Sequence, residues 1–238
     1  MVKQLVPAPT DEIIARAEQK FGRVLRIEFP FKRGVVTALA RPFDAEAYDR
    51  FFDAQMAAPD DATLNTLRDR ILWPVDKDLD AVVDGLGMFP DLLVGALAKH
   101  AGGGEAACSF VPLDEDTTNA TLAAAGLTRE QADSLIAESR GMIELSLVLL
   151  RDGGALVLRA PSYSVLQALQ RAATAKKAGF AAAIRTAAIQ CTSWCSSGSA
   201  EALFRASPAL AAMFTKEIFR LGGAEADAQF PVAAADLR

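Results

Sequence analysis

Apolar and polar positions follow two different periods in a fixed order along the first half of the chain. Apolar side chains recur at helical spacing over 13–21, and the carboxylates that follow Thr10 are typical of a helix start. Two strand-like runs, 24–29 and 35–40, then flank a glycine-bearing turn, which predicts a β-hairpin. Further helical stripes continue to residue 102. The pattern predicts an N-terminal helix, a β-hairpin and a small helical bundle.

The same order returns in the second half of the chain. A second helix start lies at Thr128, and strand-like runs at 142–150 and 155–158 surround another glycine-bearing turn. Short identities continue through the helical parts at similar spacings: Arg68 with Arg185, Pro90 with Pro208, and Gly102-Gly103 with Gly222-Gly223. Because order and spacing agree, we predict a tandem duplication. The alternative is two unrelated α+β domains that share turn residues.

This interpretation gives an α+β fold class, mostly helical, with two similar modules. The first module is expected at 1–103 and the second at 128–224, joined by a linker at 104–127 and followed by a tail at 225–238. An isolated hairpin is marginally stable in water. We therefore expect the two hairpins to join in one four-stranded sheet, within the chain or across a homodimer.

Composition narrows the class of protein. The chain has 238 residues, of which 51% are hydrophobic and 23% charged, as in folded proteins. No apolar run reaches the ~20 residues of a membrane span, and the N-terminus lacks the apolar core of a signal peptide, so we expect a cytoplasmic protein without membrane partners. The net charge of −5 gives no reason to expect nucleic acid. Residues 1–120 hold 20 of the 30 acidic groups, which makes the first half the acidic one.

Residues for catalysis and metal binding are sparse. His100 is the single histidine, and the spacing of Cys191 and Cys195 differs from the C-x₂-C of zinc and redox sites. The acidic run 76–80 lacks the later glycine and glutamate of a calcium loop, and no phosphate-binding glycine motif occurs. The sequence therefore predicts no catalytic residues, no metal and no cofactor, and a protein that is not an enzyme. An enzyme acting on a small molecule would need a polar cleft of which the sequence gives no sign.

Four motifs of the first half resemble those of phage tail assembly chaperones, small proteins encoded beside the tape-measure gene. They are Arg41-Pro42, Glu46-Ala-Tyr48-Asp-Arg50-Phe51, Leu67-Arg-Asp-Arg-Ile71-Leu-Trp73-Pro74 and Phe89-Pro90 with Ala101-Gly102. The similarity covers about 22–103 and reaches the second half only through the internal repeat. There the Tyr-x-x-Phe pattern is lost, and members of that family are mostly single modules.

The resemblance implies a non-enzymatic assembly factor that binds a long helical tape-measure-like protein in the host cytoplasm. Such a partner has apolar stripes that must be shielded until tail subunits assemble around it, and a helix-in-groove surface can do this. The alternative function is a structural or adaptor subunit of a phage particle or a phage-like contractile assembly.

Large aromatic residues mark the first module, while equivalent positions of the second are mostly leucine and alanine. We expect some of them to form a partner-binding patch, with Tyr48 and at least one of the nearby phenylalanines at the surface. The competing interpretation is that the second module repacked its core with alanine. The candidate partner-binding residues are Tyr48, Phe51, Phe52, Trp73 and Phe89.

Overall fold

The computed structural model describes residues 4–103, 107–139, 144–174 and 179–223, apart from the side chain of Asp60. The fold is α+β and mostly helical, as predicted. In the first half the elements are α1 (Asp11–Phe21), β1 (Leu25–Phe31), β2 (Gly34–Ala40), α2 (Ala45–Ala57), α3 (Pro59–Arg70), β3 (Ile71–Trp73), α4 (Asp76–Gly85) and α5 (Phe89–His100). In the second half they are β4 (Cys108–Pro112), α6 (Asn119–Ala125), α7 (Arg129–Glu138), β5 (Leu145–Leu150), β6 (Ala155–Arg159), α8 (Tyr163–Thr174), α9 (Phe180–Cys191), β7 (Thr192–Cys195), α10 (Ala200–Ala206), α11 (Leu210–Met213) and α12 (Thr215–Leu221).

The first helix of each half begins at the residue that its sequence indicates. The hydroxyl of Thr10 accepts a hydrogen bond from the backbone N–H of Ile13, and α1 ends at Gly22, whose φ of 73° suits glycine. Thr128 and Gln131 form a reciprocal capping box at the start of α7. These local signals explain why both helix starts could be predicted.

Two antiparallel sheets contain the two hairpins separately. The first sheet has the order β1-β2-β3, and the second has the order β4-β5-β6-β7. The expected joining of the hairpins within the chain is therefore wrong for the described residues. Each hairpin instead gains a short strand that directly follows a helix, β3 after α3 and β7 after α9. This strand covers the edge that the hairpin would otherwise expose.

The segment predicted as a linker, 104–127, is largely built into the second half. Its residues form β4, in which Cys108 lies opposite Leu150, and α6. Leu113 and Leu122 are buried in an apolar cluster with residues of β5 and β6. The linker prediction failed because β4 pairs with β5, a strand that lies far from it along the chain. The predicted tail at 225–238 lies outside the described residues.

Contacts divide the chain into two compact units, and the division differs from the predicted module boundary. The first unit holds residues 1–43 and 54–100, and the second holds residues 44–53 and 101–238. Ten residues of the first half, 44–53, thus belong to the second unit. They include most of the first three turns of α2.

The order of elements from α1 to α5 recurs from α7 to α12. Trp73 of β3 lies opposite Leu39, and Trp194 of β7 lies opposite Val157, with a register shift beside each pair. The two tryptophans are separated by a fixed interval along the chain. The same interval separates Phe89 from Leu210, the first residues of α5 and α11. It also separates Gly102 from Gly223, which both have a positive φ. In this register six buried positions of α5 coincide with six buried positions of α11–α12: Phe89/Leu210, Pro90/Ala211, Leu93/Phe214, Val94/Thr215, Leu97/Ile218 and Ala98/Phe219.

This structural register replaces some of the pairs inferred from sequence identities. Arg185 corresponds to Leu64, not to Arg68, and Pro90 corresponds to Ala211. The identities misled because the arginines occupy different turns of α3 and α9. The position equivalent to Arg185 is therefore apolar in the first unit.

Candidate functional site

The aromatic residues predicted to bind a partner do not form one site. Trp73 and Phe89 belong to the first unit, while Tyr48, Phe51 and Phe52 lie in the segment 44–53 of the second unit. Phe51, Phe52 and Trp73 are half-buried. The indole N–H of Trp73 donates to the backbone oxygen of Pro7 at 2.9 Å, which ties it to its own unit.

Tyr48 and Phe89 are buried, contrary to the expectation that Tyr48 lies at the surface. Phe89 is 0% exposed and packs edge-on against Phe29, with ring centroids 5.5 Å apart. Tyr48 is 7% exposed, and burial, followed by the charge of Asp49, raises the pKa of its hydroxyl. Both aromatic side chains belong to the cores. The sequence did not show this, because amphipathic spacing alone does not distinguish core aromatics from surface aromatics.

Segment 44–53 packs on α9 of the second unit through three kinds of contact. The guanidinium of Arg185 donates to both carboxylate oxygens of Asp49 at 2.7 Å. The carboxylate of Asp53 accepts the backbone N–H groups of Gly179 and Ala181, which caps the start of α9. The ring of Phe52 lies against that of Phe180, with centroids 6.4 Å apart.

The Asp49–Arg185 pair is mostly shielded from water. The side chains of Arg185 and Asp49 are 23% and 16% exposed. Burial has the largest effect on the pKa of Asp49 and raises it, as do the charges of Asp53 and Glu46, while the hydrogen bonds and charge of Arg185 lower it; the net shift is upward. Loss of Arg185 would therefore raise the pKa of Asp49 further and leave the shielded carboxylate without its charge partner.

Replacing Arg185 by alanine tests this attachment of segment 44–53. We expect R185A to lower the free energy of unfolding by about 2 kcal/mol, because Asp49 is left buried without its charge partner. R68A, on an exposed side chain of α3, should change it by less than about 0.5 kcal/mol. Denaturant unfolding followed by circular dichroism measures both, and equal effects would show that the ion pair does not stabilise the second unit.

Burial shifts the pKa values of two cysteine thiols and of the histidine imidazole. Burial raises the pKa of Cys108 to about 11 and, against a smaller effect of the Arg159 charge, that of Cys191 to about 11. Both thiols are therefore protonated at neutral pH, which makes them weak nucleophiles and weak metal ligands. Burial and the charge of Arg23 lower the pKa of His100. Among the described residues, no group of three or more histidine, cysteine or acidic side chains is placed to hold a metal ion.

Exposed large apolar side chains are concentrated in the first unit. Within the described ranges, six of the seven belong to it, and Tyr163 of α8 is the seventh. Helical spacing did not single them out, because periodicity locates apolar positions without showing what packs against them. The available signal was an excess of apolar residues around the start of α5, more than one helix face can bury. The six are Phe21, Met56, Leu64, Val75, Met88 and Leu92.

In the described part of the chain, no single helix has both the length and the apolar character to cross a membrane. Only α4 and α5 taken together pass that test, and they are bent by 103° at the break between them.

No protein-family model, curated protein or solved structure matches this chain.

Proposed function

We propose that the protein is a non-enzymatic assembly chaperone of the phage tail type, which shields the apolar face of a long helical partner. The observation that carries the proposal is the concentration of exposed apolar side chains in the first unit. Met88 is 62% exposed, and Leu64 and Leu92 are 39% and 40% exposed. Apolar side chains left in water on one part of a protein are typical of a surface that binds another protein.

The helical character of the partner is supported by where the exposed side chains lie. Met88 and Leu92 are one helical turn apart, with the N–H of Leu92 donating to the carbonyl oxygen of Met88 at 3.0 Å. Leu64 lies on α3, which packs on α5. Ridges of this kind receive the apolar stripe of an amphipathic helix. The motifs that resemble those of tail assembly chaperones lie in this same first half.

Co-expression with the longest helical protein encoded beside this gene tests the proposal. We expect the chain to raise the soluble fraction of that protein several-fold and to co-elute with it in size-exclusion chromatography. An unrelated acidic protein of similar size is the control. A partner that is equally soluble with either protein and elutes alone would contradict the proposal.

A chaperone leaves before assembly is complete, whereas a structural or adaptor subunit stays. We therefore expect quantitative mass spectrometry of finished particles to lack this chain. A fixed stoichiometry in the particles would favour the structural alternative.

A further inference from the structure

The second unit contains a helix-covered surface that has a counterpart in the first unit. Segment 44–53 covers one flank of α9, where it holds the N–H of Ala181 and the guanidinium of Arg185. Its side chains also line a small cavity together with Ile184 of α9 and with Pro208 and Ala212, beside and on α11. The cover is thus a helical segment with aromatic and acidic side chains, held on α9 and facing α11 across that cavity.

A second piece of chain completes this cover. The N–H of Ala209 donates to the backbone oxygen of Ala101 at 3.0 Å. Gly102, with a φ of 94°, approaches Ser207 so closely that an added Cβ would lie 2.8 Å from the Cβ of Ser207. Both Ala101 and Gly102 belong to the second unit. Ala209 is consequently only 1% exposed.

Within the described residues, the counterpart surface of the first unit has no such cover. In the register set by Trp73 with Trp194 and Phe89 with Leu210, the positions of Arg185, Ala209 and Met213 correspond to Leu64, Met88 and Leu92. Met88 is 62% exposed where its counterpart Ala209 is buried. Leu64 and Met88, two of the six exposed apolar side chains of the first unit, therefore lie where the second unit carries a covering segment or a buried residue.

We infer that this α3–α5 surface, formed by Leu64, Met88, Asp91 and Leu92, binds an amphipathic helix of a partner protein with lysine or arginine beside its apolar face. The inference rests on the proposed function and names the chemistry of the partner. The internal precedent is segment 44–53, which shows the same elements of the fold holding a helix in the second unit.

Charge decides which helix fits. Leu64 stands at the position of Arg185, so the guanidinium that holds Asp49 in the second unit has no counterpart at this position of the first unit. Residues 59–100 contain eight acidic and four basic side chains, and Asp61 and Asp91 are exposed on α3 and α5. A helix with a basic flank is attracted to this rim, and an acidic one is repelled.

Charge complementarity also disfavours binding of this surface by segments of the protein itself. Segment 44–53 of a second copy carries four acidic residues and one basic residue. Residues 224–238 carry three acidic residues and one basic residue. Neither complements an acidic rim, so the partner is a different, basic helix.

Two labelled peptides of about 16 residues test the inference with the full-length protein. One has leucines at i, i+3, i+4 and i+7 with lysines elsewhere, and the other has glutamates in place of the lysines. In fluorescence anisotropy we expect the lysine peptide to bind, and the glutamate peptide to bind at least about tenfold more weakly. The triple variant L64S/M88S/L92S should weaken binding of the lysine peptide by at least about tenfold, since apolar burial is lost.

The Y163S variant is the matched control, because Tyr163 is the exposed large apolar residue of the second unit, at 75% exposure. Its affinity for the lysine peptide should equal that of the wild type. The altered side chains are all exposed, and thermal unfolding by circular dichroism checks that each variant folds.

Several results would overturn the inference. Equal binding of the lysine peptide by the triple variant and the wild type would remove the surface, and equal binding of both peptides would remove the charge argument. Binding that appears only after truncation to 1–223 would make the chain's own tail the occupant. If the wild type self-associates in analytical sedimentation and the triple variant does not, the occupant of the surface is a second copy of this protein. If a co-expressed partner bound the triple variant as well as the wild type, the proposed function would stand and this surface would not.

Discussion

A fragment of residues 101–238 is expected to be less stable than the same fragment carrying residues 44–53 on a flexible glycine-serine linker, by about 3 kcal/mol or more. Without residues 44–53, α9 loses the cap from Asp53, Arg185 loses Asp49, and the ring of Phe52 leaves the core. The cap alone is worth about 1 kcal/mol, and the ion pair and the apolar contact add to it. Urea unfolding of both fragments, followed by circular dichroism, measures the difference.

A scrambled version of residues 44–53 on the same linker is the control for this comparison. It keeps length and charge but removes the positions of Asp49, Phe52 and Asp53. If the scrambled and native segments give the same unfolding midpoint, the segment contributes nothing specific to the second unit.

Replacing Phe89 by alanine is expected to lower the free energy of unfolding by about 3–5 kcal/mol, the range for a phenylalanine removed from a core. Phe89 is fully buried and packs against Phe29, so the change leaves a cavity in the first unit. The neighbouring M88A variant, at a side chain that is 62% exposed, should change stability by less than about 0.5 kcal/mol.

Chemical denaturation, followed by tryptophan fluorescence and circular dichroism, gives the free energy of unfolding of both variants. It shows whether each side chain belongs to the core or to the surface. A small effect of F89A together with weakened partner binding would restore Phe89 as a binding residue. A large effect of M88A on stability would mean that Met88 belongs to the core.

Local features of the fold could be predicted from sequence, and non-local pairings could not. The capping threonines and the glycine-bearing turns specify helix starts and hairpins within a few residues. The three residues of β3 directly follow a helix, and their apolar side chains read as the end of its stripe. β4 has no adjacent strand in sequence, and its partner β5 lies beyond two helices.

The candidate site shows a similar limit. Periodicity identified the apolar positions of α3, but burial depends on what packs against each face of a helix. Leu64 and Arg185 occupy equivalent positions, yet only the second is covered, by a segment from the other half of the chain. Tyr48 was expected at the surface, whereas in the fold it lines a small cavity with residues that are remote in sequence, such as Ile184.

The placement of segment 44–53 has a consequence for synthesis on the ribosome. Asp53 is made 126 residues before Gly179, the residue whose N–H it accepts. At about 5–20 residues per second, the segment waits roughly 6–25 s before α9 begins to be translated. During that interval the aromatic side chains of Tyr48 and Phe52 lack the surface that later buries them. The nascent chain thus passes through a stage in which it exposes apolar surface of the kind that promotes aggregation.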